Sequence, residues 1–339
     1  MRKFIYFIIF LTIILIGSQF LIPYYYNVPV RKNAGPLIDK RLKTTYQIHI
    51  ENDQPELVLI GDSTLAESID QEYLTELLGI ETYKIGNHGS ASAVWYLILR
   101  NNIAVSAYKP KHIVLFFRTS ILTTPEFRTT GKYEIFINEA ATPDDTLMLE
   151  YAYLNHMNSF EKWFDQYVTP YAYRSKVRSS IENVIKYQAL QKVLGVDRGE
   201  IIVAMDTVFG EADIAQLSAM ITSADSYLLE DQRLDFNAQL NKSFLPEIIR
   251  ISQENNIQLT LVYTKTVNSN ETEETRALLK SYMANLTQYL SQNNVEFMDY
   301  SNDERVLDSF FVDPLHMNAD GRHLFTEIFA QDYTEILRP

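Results

Sequence analysis

The chain has no cysteine, which excludes disulfides, thiol nucleophiles and cysteine-ligated metals while leaving the compartment open. It is short of positive charge, with 30 Lys and Arg against 43 Asp and Glu and a formal charge of −13. Affinity for a phosphate backbone comes from clustered Lys and Arg, so no nucleic-acid partner is expected. No basic run, zinc-ligand spacing, internal repeat or low-complexity tract is present, and no metal or cofactor is expected. The sequons at Asn241, Asn270 and Asn285 are short enough to arise by chance. With 339 residues, 46% of them hydrophobic, the chain can build a sizeable core: one large α/β domain or two small ones.

One long apolar run stands at the N-terminus. After Arg2 and Lys3, residues Phe4 to Ile22 are interrupted only by Thr12, Gly17, Ser18 and Gln19. That is close to the ~20 residues a helix needs to cross a bilayer. Tyr24, Tyr25 and Tyr26 follow, as an interfacial aromatic belt would. A cleaved signal peptide and an uncleaved anchor both fit the pattern. The run exceeds a usual signal core and no A-x-A site follows it, which favours the anchor. Arg2 and Lys3 favour an N-inside orientation, while Arg31, Lys32, Lys40 and Arg41 oppose it. The expectation is a single-pass membrane protein (anchor 1–23) with its body outside the cytoplasm.

Residues 24–54 read as a connector, and 55–338 as one α/β domain. Leu57-Val58-Leu59-Ile60 runs into Gly61-Asp62-Ser63, a buried parallel strand ending in a turn. Apolar spacing then predicts a helix over 64–78. A second strand, 81–85, breaks at Gly86-Asn87-His88-Gly89-Ser90, and a helix is expected over 91–105. A third strand, 112–117, ends in Arg118-Thr119-Ser120. Three strand-to-helix units in succession predict right-handed β-α-β crossovers. From about 124 to 243 no strand signature appears, and the segment reads as a mainly helical insertion with patches such as 146–164 and 175–194. A helix near 243, a strand over 258–263, a helix over 273–290, a strand over 295–300 and a last helix over 320–337 complete the pattern.

Ser63 at a strand-to-helix handover suits a turn residue, a helix cap or a nucleophile. Asp313-Pro314-Leu315-His316 lies between the last strand and the last helix. A carboxylate three residues before an imidazole can fix its tautomer and support the cation formed on proton uptake, as a nucleophilic serine requires. In a doubly wound sheet, Ser63 and this loop project over one edge. Asp62 reads as a turn or cap residue, Asp320 as the cap of the last helix, and His323 as facing solvent or the helical insertion. His88, with no acid partner identifiable in the sequence, reads as structural.

These stretches together resemble the SGNH (GDSL-type) hydrolase superfamily. Gly61-Asp62-Ser63 is similar to its first block, Asn87-His88-Gly89 to the N-x-G of its second, and Asp313-x-x-His316 to its last. The resemblance covers roughly 55–122 and 245–338 and leaves the insertion unaccounted for. It implies a three-layer α/β/α sandwich of about five parallel strands, flavodoxin-like in winding. It also implies Ser63, His316 and Asp313 as a catalytic triad, with an oxyanion hole from the amides of Ser63 and Gly89. The third block departs from the family: its usual G-x-N-D is replaced by Phe117-Arg118-Thr119-Ser120, without the asparagine donor. Arg118 or Asn87 is a candidate for that role, and Arg118 is equally a candidate to grip an anionic or sugar substrate or to serve as a salt-bridged structural arginine. With the anchor, the resemblance points to proteins that acylate or deacylate cell-envelope glycans, some beside membrane-bound O-acyltransferases. A catalytically weak binding or assembly subunit, as in teichoic-acid D-alanylation, is the alternative.

Overall fold

In a computed structural model of the protein, residues 2–38, 42–183, 226–267 and 272–337 are described. Their contacts divide the chain into two units, one of Met1–Leu37 with Tyr153–Gln216 and one of Ile38–Ala152 with Leu217–Pro339. The strands are β1 (Leu57–Gly61), β2 (Thr82–Gly86), β3 (His112–Phe117), β4 (Gln258–Tyr263) and β5 (Glu296–Asp299). The helices are α1 (Arg2–Tyr26), α2 (Thr45–Asp53), α3 (Ser63–Ser68), α4 (Gln71–Leu78), α5 (Ser92–Ile98), α6 (Glu134–Ala140), α7 (Thr146–Ala152), α8 (Ser159–Tyr167), α9 (Thr169–Ala172), α10 (Arg174–Asn183), α11 (Phe236–Leu240), α12 (Leu245–Glu254), α13 (Glu273–Gln292) and α14 (Ala319–Leu337).

All five strands pair in parallel, in the order β2-β1-β3-β4-β5. The chain winds from β1 to β2 on one side and to β3 on the other, so β1 ends at a topological switch point. Alternation along the strands decides the layers. Leu57, Leu59, Val114, Phe116 and Val262 share a core with Leu65 and Ile69 of the α3 region, Leu74 of α4, and Phe325, Ile328, Phe329 and Tyr333 of α14. The intervening residues Val58, Ile60, Ile113, Leu115 and Leu261 are also buried, and α12 packs against β4 and α5. The result is the α/β/α sandwich expected from the sequence.

The expected helix over 64–78 is two helices. Asp70 stops α3 and caps α4 by accepting the Tyr73 amide at 3.1 Å, while Lys84 of β2 donates to the last carbonyls of the α3 region, Ala66 (3.1 Å) and Ile69 (2.6 Å). The helix over 91–105 becomes α5 followed by a single π turn, Leu99–Ile103. Residues 45–53, expected within an irregular connector, form α2, whose Ile50 is fully buried. The stretch after β3 carries helices among the described residues, with α6 and α7 in the sheet-bearing unit and α8 to α10 in the other. Of the expected helix at 175–194, residues 184–194 lie outside the described residues, as do Lys40, Arg41 and the sequon at Asn270.

In the other unit, α1 is the one helix among the described residues long and apolar enough to cross a membrane, over Lys3–Tyr26. Its serine and threonine hydroxyls are satisfied within the helix: Thr12 donates to the Ile8 carbonyl and Ser18 to that of Leu15, each at 2.8 Å. Gln19 is held by the chain that follows α8. Its amide donates to the Tyr167 carbonyl at 2.7 Å and accepts from the Thr169 amide at 3.0 Å.

Candidate active site

Asp62 sets the geometry at the end of β1. Its Oδ1 accepts from the Thr64 amide at 2.8 Å and the Thr64 hydroxyl at 2.7 Å, making it the N-cap of α3. Ser63 is thereby fixed as the first residue of α3, where the backbone amide has no intrahelical acceptor. The helix lies close on the sheet, since a Cβ at Gly86 would sit 3.0 Å from the Ala66 Cα.

The 87–90 turn is bound to the same strand end. The Asn87 amide donates to the Gly61 carbonyl at 3.1 Å, as does the Ser90 hydroxyl at 3.1 Å. Trp95 Nε1 donates to Ser90 Oγ at 2.9 Å. Gly89 has φ +84°, and a Cβ there would meet Tyr133 Cε1 at 2.4 Å, so both backbone and space require glycine. Asn87 Oδ1 accepts from the Tyr46 hydroxyl at 2.9 Å, which leaves its Nδ2 as the donor end of the amide.

The 313–316 turn comes from the far edge of the sheet. Asp313 Oδ1 accepts from the amides of Leu315 (2.8 Å) and His316 (2.9 Å), and an isolated bridge between Phe311 and Met317 closes the loop. Asp313 Oδ2 is 2.6 Å from His316 Nδ1, and His316 Nε2 is 2.8 Å from Ser63 Oγ. Burial pushes the Asp313 carboxyl up, but the hydrogen bond from His316 and the two backbone amides outweigh it, leaving the group below the usual carboxylate range. An ionised Asp313 fixes the Nδ1–H tautomer, so that Nε2 faces the hydroxyl as an acceptor. Asp313, His316 and Ser63 thus form one hydrogen-bonded chain.

Arg118 is fully buried, with its Nε 3.6 Å from Asp62 Oδ2. The structure therefore places it beneath the Ser63 turn as the ionic neighbour of the capping carboxylate. Thr119 is buried in the left-handed region at φ +46°, and the Ser120 hydroxyl donates to the Leu228 carbonyl. The third block is thus committed to internal packing.

Two other sequence expectations change. His88 has an acid partner after all, since its Nε2 lies 3.2 Å from Glu67 Oε1. Glu67 also pairs with Arg322, so one carboxylate links α3, the 87–90 turn and α14. A spacing of four residues from Ser63 on a helix was the available clue to Glu67. The cap of α14 is Asn318, whose Oδ1 accepts the Gly321 amide at 2.8 Å, and Asp320 instead lies in the first turn. His323 is exposed as expected and stacks on Tyr73 with ring centroids 4.4 Å apart. Among the described residues no group of three or more His, Asp or Glu side chains is placed to hold a metal ion.

No family model and no curated protein matches the chain. Among solved structures it is similar to a GDSL-like lipase of Bacteroides thetaiotaomicron, at 11% identity and TM-score 0.38, over 86% of this chain and 98% of that one. It is also similar to an acetylxylan esterase of Geobacillus stearothermophilus, a catalytic mutant, at 11% identity and TM-score 0.39, over 83% of this chain and 94% of that one. Both likenesses are coarse ones of fold.

Proposed function

We propose that the protein is a serine-dependent acyl-transfer enzyme of SGNH type, cleaving or transferring an ester. The observation that carries this reading is the hydrogen-bonded chain from Asp313 through His316 to Ser63, at 2.6 and 2.8 Å. His316 Nε2 takes the proton of Ser63 Oγ as that oxygen attacks the ester carbonyl. Asp313 holds the imidazole in its tautomer and stabilises the imidazolium. The amides of Ser63 and Gly89 receive the oxyanion, aided by the positive end of α3 and by Asn87 Nδ2. His316 then gives its proton to the departing alkoxide, leaving an acyl group on Ser63. Water or a sugar hydroxyl, deprotonated by His316, takes that acyl group and regenerates the serine.

Arg118 has no role at the oxyanion in this scheme, because it is buried against Asp62. Its guanidinium stands against the capping carboxylate and helps to hold the Ser63 turn in place.

The substrate class in this reading is an O-acylated, most simply O-acetylated, cell-envelope glycan. It rests on α1 as a single-pass anchor with the enzyme domain outside the cytoplasm. Of the cations that oppose this orientation, Lys32 is buried in an ion pair with Asp165 at 2.5 Å and no longer presents a free charge to the membrane flank. A membrane-bound O-acyltransferase that delivers the acyl group is the partner this arrangement suits. The third block, without its asparagine, supports a second reading: a binding or assembly subunit with weak catalysis.

Fluorophosphonate labelling of the full-length protein in detergent separates the two. The enzyme gives a covalent adduct on Ser63 that disappears in Ser63→Ala and His316→Ala. Absence of an adduct in the wild type overturns the catalytic reading in favour of the binding subunit.

A further inference from the structure

Helix α8 is amphipathic in the wrong sense for a helix packed on a protein core. Phe160, Trp163, Phe164 and Tyr167 follow the i, i+3, i+4, i+7 spacing of one face. That face is turned outward: Phe160 is 68% exposed, Trp163 52% and Tyr167 40%. The buried residue is the acid on the opposite side, Asp165, which binds Lys32 Nζ and the Gly35 amide (2.8 Å). An exposed aromatic face on a helix anchored by its polar side marks an interaction surface.

The position of α8 along α1 identifies the occupant. The end of α8 is joined to Gln19 through the Tyr167 carbonyl, and Thr169 Oγ1 donates to the Gln19 carbonyl at 2.9 Å. Starting from Lys3, a span of ~20 residues reaches the bilayer boundary in the last turns of α1, where Gln19 lies. The exposed Tyr24 and Tyr25 lie one to two turns further on. Cations decorate the same region: Arg31 sits 5.3 Å over the Tyr167 ring, and Arg174 4.0 Å over that of Tyr171. Aromatic rings with basic side chains at a helix boundary are the composition of a membrane–water interface.

We infer that α8 is a second membrane contact, an interfacial helix whose aromatic face enters the headgroup region of the leaflet where α1 emerges. This inference rests on α1 spanning the bilayer. Phe160, Trp163 and Tyr167 serve as its anchors, and anionic headgroups meet Arg31.

The chain has two tryptophans, and Trp95 is buried in the sheet-bearing unit, so Trp163 can be read by difference. The full-length protein and Trp163→Phe are reconstituted into phosphatidylcholine–phosphatidylglycerol vesicles containing brominated phosphatidylcholine. The expected result is loss of most of the Trp163 share of the emission when the bromines lie near the headgroup, with weaker quenching when they lie near the chain ends. Alkaline carbonate extraction is run in parallel. A protein that resists extraction but shows no bromolipid quenching at Trp163, and remains open there to aqueous iodide, overturns the interfacial assignment alone. Protection of Trp163 by a soluble polysaccharide in place of lipid has the same consequence, making the face a sugar platform. Release by carbonate removes the anchor and this inference together, leaving the Ser63 chemistry untouched.

Discussion

His316 Nε2 stands 2.8 Å from Ser63 Oγ although 253 positions separate the two residues. β5 is an edge strand, separated from β1 by β3 and β4, so the chain after it must travel back to reach Ser63. The return is secured by α14, which packs on α3 and α4 through Phe325, Ile328 and Phe329. The site is therefore held by the hydrophobic core of one layer.

Ser63→Ala and His316→Ala are each expected to lower ester turnover by ~10⁴-fold or more, and the double variant by little beyond either single one, because the two act as one unit. Hydrolysis of a small acetyl ester by purified full-length protein checks this. Additive losses would show that the two residues act separately.

Asp313→Asn is expected to lower kcat by about 10⁴-fold while leaving KM nearly unchanged, since the amide favours the wrong imidazole tautomer. The depressed carboxyl of Asp313 also fixes a pH effect. Its contribution to loop stability is fully present above the unfolded value of about 3.9 and is lost as pH falls through the lower folded value. A thermal-melt series across the acid range should lose this dependence in the variant.

Gly89→Ala combines a left-handed backbone with a collision against Tyr133. A cost of ~1–3 kcal/mol is expected from strain, with a larger loss of kcat than of KM because the displaced amide is the oxyanion donor proposed above. Adding Tyr133→Ala should restore part of the melting temperature and little of the activity. Full recovery of both would mean that the collision alone mattered.

Arg118→Met is expected to destabilise the domain by about 3–5 kcal/mol, since it leaves the Asp62 carboxylate buried without its cation. Asp62→Asn in the same chain should recover part of that stability. If Arg118→Met instead melts normally and fails only in turnover, the residue touches substrate.

Glu67→Gln weakens the link between α3, His88 and Arg322. These groups are partly exposed, so a stability change of at most ~1 kcal/mol is expected. A several-fold drop in kcat with unchanged KM, partly rescued by Glu67→Asp, would mark it as a positioning residue. A simple melting shift without a rate effect would not.

The strands and most helices of the sheet-bearing unit were legible because burial writes itself into a strand as an unbroken apolar run and into a helix as 3.6-residue spacing. Leu57–Ile60 and Ile113–Phe117 are examples, and the observed strands lie within a residue of the expected ones. The Ser63, Asp313 and His316 positions were legible for a related reason: Ser63 opens the helix directly after β1, and Asp313 and His316 lie in the turn just before α14, so adjacent elements set their location. Connections dominated by one acid were harder to read. Asp70 splits an apolar pattern that runs on through both helices, and the Asn318 cap stands two residues before the acid that composition favours.

By itself the sequence determined a parallel α/β sheet, an apolar N-terminal helix and the three residue types a serine nucleophile needs, because local periodicity and turn chemistry act over a few residues. Tertiary structure alone decided that Arg118 lies inward against Asp62, that Glu67 answers His88 and Arg322, and that the aromatic face of α8 points outward. Each of these depends on which surfaces distant segments cover, and burial of a charge or a ring is a property of the packed whole.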